Sequence, residues 1–212
     1  MPDFPGSPAP RHDFELPVLD QFPVERADAA RNRKVILDAA RRLVAVGDSF
    51  SVEEVAHAAG VGVGTIYRRF GDRAGLAYAV VGLFEFEFQK QFIYGPPPLG
   101  PGAPPAERIR AFLQAMVDKV EAQRGLLVSA EISSATARYE TGAYSAHRVH
   151  LAFLIGLLRP HADAGYLADA LLAPFSATLI AYQRTHRGLS ATEIKSGVND
   201  LLELLGFEIQ PR

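Results

Sequence analysis

The chain has no cysteine, which excludes a disulfide framework and any metal site built on thiolates. It has no HExxH segment either, so its histidines make an incomplete zinc set. No apolar run reaches membrane-spanning length, and the proline-rich N-terminus lacks the basic start and long apolar core of a secretory signal. No segment sustains a two-residue alternation with β-branched enrichment, and there is no internal repeat. What remains is a helical protein, expected in the cytoplasm with no membrane partner. At 212 residues it is long enough to bury a core without covalent staples.

A net charge of −2 argues against a nucleic-acid binder until it is divided along the chain. Residues 1–25 carry one basic and five acidic side chains, residues 26–73 nine and six, and residues 74–212 twelve and thirteen. Only the middle stretch is net basic, at +3, which is the asymmetry that phosphate binding needs.

That stretch holds the most informative motif, SVEEVAHAAGVGVGTIYRRF from Ser51 to Phe70. Ser51 and Glu54 have capping-box spacing and predict a helix start. Val52, Val55, Ala56 and Ala59 then form one apolar stripe at helical period. Gly60 can take the left-handed conformation that ends a helix. The chain turns through Gly60-Val61-Gly62 and restarts at Val63. There Ile66 and Phe70 point inward, leaving Thr65, Arg68 and Arg69 outward and Tyr67 on the flank. Two helices, a tight turn and an exposed basic second helix make a helix-turn-helix, whose second helix enters the major groove of duplex DNA. Arginine can donate two parallel hydrogen bonds to a guanine edge, and Thr and Tyr hydroxyls can bind phosphate oxygens.

Elsewhere the pattern reads as helices throughout. Residues 1–25, with six prolines and no period, predict a disordered or surface-draped tail. Ile36, Ala39, Ala40, Leu43 and Val44 give a first helix from about Asp28 to Val46 that can cover the motif pair. A long helix from about Asp72 to Tyr94 links the two halves, and the Gly/Pro run from Gly95 to Pro105 stops it. Helices are expected near Ala106–Gln123, Leu126–Ala135, Gly142–Leu158, Ala164–Arg187 and Ala191–Leu205. Pro174 should kink the fourth of these, and Ser190 with Glu193 caps the last. The predicted fold is all-α, with a three-helix DNA-binding domain at 26–73 and a larger helical domain at 74–212.

The segments RNRKVILDAARRLV and AGVGVGTIYRRF, and the opening GDRAGL of the following helix, resemble those of the tetracycline-repressor-like (TetR) transcriptional regulators across about residues 26 to 81. The resemblance implies that Thr65 and Tyr67 contact phosphates, that Val63, Gly64, Arg68 and Arg69 face bases or nearby backbone, and that Arg73 clamps a phosphate. Three departures stand out. Gly62 occupies a place where the family often has a serine N-cap, Arg73 replaces the usual lysine, and Glu53 is acidic where some relatives place a basic contact. With Gly64 as a second weak helix former, the recognition helix is expected to be loose until DNA orders it.

The same resemblance implies that the larger domain encloses a small-molecule effector cavity, with Phe88, Phe112, Met116, Tyr144 and His147 as candidate wall residues. It also implies a homodimer in which two late helices pair with their copies. Those helices are unusually apolar, through Leu151, Leu154, Ile155 and Leu158 on one and Phe175, Leu179 and Tyr182 on the other, so these seven are the candidate interface. A two-fold dimer would place two reading heads on a near-palindromic operator, with half-sites about 34–36 Å apart or a multiple. The expectation is a repressor released by an effector; an activator, or a binding protein or enzyme with a vestigial helix-turn-helix, remain as alternatives.

Other signals weigh less. The Gly60-Val61-Gly62-Val63-Gly64 run lacks both the third glycine and the preceding strand of a dinucleotide loop. Gly47-Asp48-Ser49 lacks the strand-to-helix elbow of a serine hydrolase and reads as a turn. His147 and His150, three apart, could reach one ligand, but no metal or cofactor is expected. Glu131, Arg138, Tyr139 and Tyr144 could either hydrogen-bond an effector or form a solvated bend.

Overall fold

The computed structural model describes residues 27–47, 49–133, 136 and 138–207; the expected tail at 1–25 and Asp48 lie outside the described residues. Among the described residues there are ten α-helices and one short 3-10 turn. The all-α expectation therefore holds.

The head is built by α1 (Ala27–Gly47), α2 (Val52–Ala59) and α3 (Val63–Phe70). Ile36, Ala39, Ala40 and Val44 of α1 are buried against Val52, Val55 and Ala56 of α2 and Ile66 of α3. The stripes read from sequence are thus the faces that meet. Burial of each large aliphatic side chain contributes roughly 1.5–3 kcal/mol.

Next, α4 (Arg73–Tyr94) runs 22 residues without a break. Its Leu76 and Val80 complete the head core, while its Phe88 and Phe92 belong to the second core. The Gly/Pro segment ends it, and α5 (Pro105–Ala122) begins with proline in the first turn, where a missing N–H breaks no helical hydrogen bond. Six residues of α5 from Ile109 to Val120 are buried, making it the central helix of the body. Around it lie α6 (Arg124–Ser133), α7 (Gly142–Leu158), α8 (Ala164–Leu172), α9 (Ala177–Thr185) and α10 (Ala191–Leu204). The capping box of Ser190 and Glu193 opens α10 as expected.

One expected helix is broken. Ala164–Arg187 divides into α8 and α9, joined by a 3-10 turn at Ala173–Phe175, because Pro174 cannot continue the hydrogen-bond ladder and Ser176 caps a fresh start by accepting from the Leu179 N–H at 3.2 Å. By composition, Ala164–Thr185 does reach membrane-spanning length, with mean hydropathy 1.4 over its best window, contrary to the sequence reading. The break leaves two helices of nine residues each, and Leu171, Leu172, Phe175 and Ile180 are buried in the body core.

Candidate DNA-reading head and effector cavity

The turn between α2 and α3 is held by backbone geometry. Gly60 has φ 67° and ψ 33°, the left-handed conformation, and its N–H reaches His57 O at 3.2 Å while the Val61 N–H reaches Ala56 O at 3.0 Å. This reciprocal pair satisfies carbonyls that the helix end leaves open. At the other end of α2 the capping box is complete: Glu54 N–H donates to Ser51 Oγ at 3.1 Å, and Ser51 N–H donates to the Glu54 carboxylate at 2.7 Å. Backbone and serine donors hold the Glu54 carboxyl below its usual range.

The restart is barer. Gly62 caps α3 with no side-chain hydrogen bond. Ile66 is fully buried and Phe70 half-buried against the head core, so the opposite side of α3 faces solvent. Gly64, Tyr67 and Arg68 are exposed, Thr65 and Arg69 half-buried, and Val63 packs partly on the core. Arg68 and Arg69 also lie in the last turn, where positive charge suits the helix dipole.

The corner from α3 to α4 is tight. Asp72 caps α4 by accepting from the Gly75 N–H at 2.7 Å. A Cβ on Gly75 would lie 2.0 Å from the Phe70 carbonyl oxygen, so only glycine lets the two helices approach this closely. Arg73 Nε donates to Phe50 O at 2.8 Å, and its guanidinium lies 5.8 Å from the Phe50 ring centre. The exposed Arg73 is therefore anchored to the head through one nitrogen.

Below this corner lies a cavity of about 500 Å³, walled by α4, α5, α6 and α7 and by Leu172 and Phe175. Its upper wall is the first turns of α4 from Arg73 to Val81, and α6 faces them with Leu126 and Leu127. Leu126 also belongs to the head core. Most of the wall is apolar, with a few convergent polar groups, which is what a small-molecule site requires.

Met116, Tyr144 and His147 line the cavity; Phe88 and Phe112 do not. Those two rings stand behind the wall, 5.0 Å apart, packed with Phe92, His147 and His150. The histidine pair divides: His150 lies between Phe92 and Phe112, whereas His147 Nε2 meets Glu85 Oε1 at 2.8 Å. Burial pushes both imidazoles below their ordinary value, His150 down to about 4, with Arg108 opposing its charge. The neutral His147 ring therefore donates from Nε2. Among the described residues no group of three or more His, Asp or Glu side chains could hold a metal ion.

Glu85 was missed by sequence reading. It is almost wholly buried and joins three helices, accepting from Lys119 Nζ, from His147 and from Gln89 Nε2 at 2.8 Å. Burial alone would raise its carboxyl, but Lys119 and His147 more than reverse this and hold it well below the carboxylate range. A signal existed: Val81, Glu85, Phe88 and Phe92 share one helical stripe, so the carboxylate sits on an apolar face.

The other polar groups of the wall are also tied inside the protein. Glu131 accepts from the N–H groups of Ala177 and Thr178 at 2.9 and 3.0 Å and caps α9. Tyr144 donates its hydroxyl to Asp169 at 2.9 Å, and burial with that acceptor pushes the phenol up to about 12. Arg138 Nη2 donates to Leu172 O at 2.9 Å, and its guanidinium packs over Tyr139 and Tyr144.

The expected dimer face needs correction. Leu151, Leu154, Ile155 and Phe175 are buried in the subunit's own core, and Phe175 lines the cavity. A wide apolar stripe must be covered, and here α5 and α8 of the same subunit cover it in place of a second copy. Leu158, Leu179 and Tyr182 remain exposed, and α7 exposes a different stripe, Val149, Phe153 and Leu157.

Fold and site together define a helix-turn-helix head on a helical body that holds a cavity. Residues 36–80 match the family model for bacterial regulatory proteins of the tetR family. No curated protein matches the chain significantly. Solved structures do: a TetR-family regulator from Rhodococcus sp. superposes with a TM-score of 0.63 at 18% identity, covering 82% of this chain and 98% of that one. A TetR-family regulator from Pectobacterium atrosepticum gives 0.64 at 20% identity, covering 89% and 100%. NalD from Pseudomonas aeruginosa, the secondary repressor of the MexAB-OprM multidrug efflux pump, gives 0.51 at 19%, covering 84% and 95%. Residues 36–80 thus resemble the tetR family model, and the chain as a whole has the fold of these solved regulators.

Proposed function

We propose that this protein is a cytoplasmic, homodimeric transcriptional repressor that reads a near-palindromic duplex operator and lets go when a small molecule fills its cavity. The observation that carries the reading is the continuity of α4, whose first turn is fixed to the reading helix while its next turns wall the cavity. In this account residues 26–73 form the DNA-binding unit and residues 74–212 the effector-binding and dimerisation unit, with α4 belonging to both. Thr65 and Tyr67 bind phosphate oxygens, Arg68 and Arg69 reach base edges or the adjoining backbone beside Val63 and Gly64, and Arg73 adds a phosphate contact through the nitrogens not used on Phe50.

Release follows from linkage. A ligand that fits the cavity only when α4 and α6 have shifted must weaken operator binding by the factor by which the operator weakens the ligand. Two subunits would meet through Val149, Phe153 and Leu157 of α7, with Leu158, Leu179 and Tyr182 adding exposed apolar surface. NalD, which shares the fold, is a repressor, and this agrees with the sign of regulation.

A gel-shift assay on the DNA upstream of the protein's own gene tests the reading. The expected result is a retarded band that random duplex competes poorly and that cell extract relieves. Equal affinity for random DNA would overturn it.

A further inference from the structure

The polar groups on the cavity wall are not balanced between donors and acceptors. Both carboxylates are saturated from within: Glu85 by Lys119, His147 and Gln89, and Glu131 by two backbone N–H groups and the Thr178 hydroxyl at 3.0 Å. Arg138 is not. Its Nη1 is closed to water and has no hydrogen-bond partner, with the nearest carboxylate oxygen, on Glu131, at 4.0 Å. That separation is too long for a hydrogen bond, and leaving a buried charged donor unmatched is costly. Among the described residues Lys119 and Arg138 face Glu85 and Glu131 on the wall, with the exposed Arg73 at its rim.

Building on the effector reading above, we infer that the molecule taken by this cavity is an amphipathic monoanion, an apolar body ending in one carboxylate-like acid that binds the Arg138 guanidinium. The apolar stretch of the wall, including Val81, Val120, Leu127 and Phe175, accommodates the body. The acid supplies the acceptor that Nη1 lacks. A small swing of the guanidinium on its flexible stem brings Nη1 to the ligand, while Glu131 stays tied to α9. A cationic ligand would find both carboxylates already occupied, and a neutral acceptor would give Nη1 a weaker hydrogen bond than a carboxylate does.

Calorimetric titration of the full-length protein with decanoate, decanamide and decylammonium, below their micelle concentrations, tests this. The flexible chain adapts to the cavity, so only the head group varies. Decanoate is expected to bind at least roughly tenfold more tightly than either of the others, the order of one charge-assisted hydrogen bond. Arg138→Gln should abolish the preference for decanoate over decanamide, Arg138→Lys should keep part of it, and Met116→Trp, which narrows the cavity, should weaken binding of all three. Equal or tighter binding of decanamide or decylammonium by the unmutated protein overturns the anion assignment but leaves the effector reading standing, and this ranking needs no variant to fold. Retention of the preference in a folded Arg138→Gln also overturns it. If none of the three ligands binds, both the assignment and the effector reading fail.

Discussion

Replacing Glu85 by Gln keeps the shape and the hydrogen bond to His147 but removes the charge facing Lys119. The Lys119 side chain is 12% exposed and that of Glu85 4%, so the ammonium would be left almost dry. Breaking a buried ion pair by deleting one partner typically costs about 3–5 kcal/mol. Lys119 also lies 5.4 Å from the Phe88 ring centre, a contact that returns roughly 0.5–2 kcal/mol, so the lower end, about 3 kcal/mol, is expected. At an m-value of about 1–3 kcal/mol/M the urea midpoint should fall by roughly 1–3 M at fixed protomer concentration. Lys119→Met added to Glu85→Gln should recover at least half the loss, because no charge is then stranded. The pH dependence has a definite sign. A carboxyl whose folded pKa is depressed contributes stability above its unfolded value, and that contribution is lost as pH falls from the ordinary carboxylate range toward the lower folded value. Glu85→Gln should remove this part of the acid sensitivity. A loss below about 1 kcal/mol, or a double variant that loses the sum of the two single ones, would refute the reasoning.

Arg68→Ala should lower operator affinity and relax sequence choice, whereas Arg73→Ala should weaken all duplexes alike and flatten the salt dependence, both read by anisotropy over a salt series. Phe153→Glu should give monomers in sedimentation with weakened DNA binding; persistence of the dimer would place the interface elsewhere. His150 is held neutral in the fold, so the unfolded chain gains a proton first and stability should decline as pH falls from the ordinary imidazole value toward about 4; His150→Phe should flatten that decline in pH-dependent urea melts. Amide exchange should be faster across Val63–Phe70 than across α1, since Gly62 offers no side-chain cap and Gly64 weakens the first turn; equal protection would remove the idea of a helix that DNA orders.

The head was legible because its signals are local. A capping box, a left-handed glycine and two short apolar stripes each depend on neighbours within four residues, and the structure places Ser51, Gly60, Ile66 and Phe70 accordingly. The body was legible as helices but not as an arrangement. Leu151, Leu154 and Ile155 have the same sequence pattern whether a second subunit or α5 covers them, and only the packing decides. Glu131 stayed open between a ligand group and a solvated bend because nothing in the sequence shows that the chain returns 46 residues later to present the N-terminus of α9. Glu85 was the more recoverable miss, since a carboxylate on an apolar stripe requires a buried partner, and Lys119 lies on the matching stripe of α5 with Phe112 and Met116.

The central claim is that the outward side of α3 reads duplex DNA. Selection of bound duplexes from a random-sequence pool by the purified protein, followed by anisotropy on the winners with the unmutated protein and Arg68→Ala, tests it most directly. The account predicts enrichment of one near-palindromic site whose affinity drops on loss of Arg68. A pool that stays random, or an enriched site bound equally by both proteins, would contradict it.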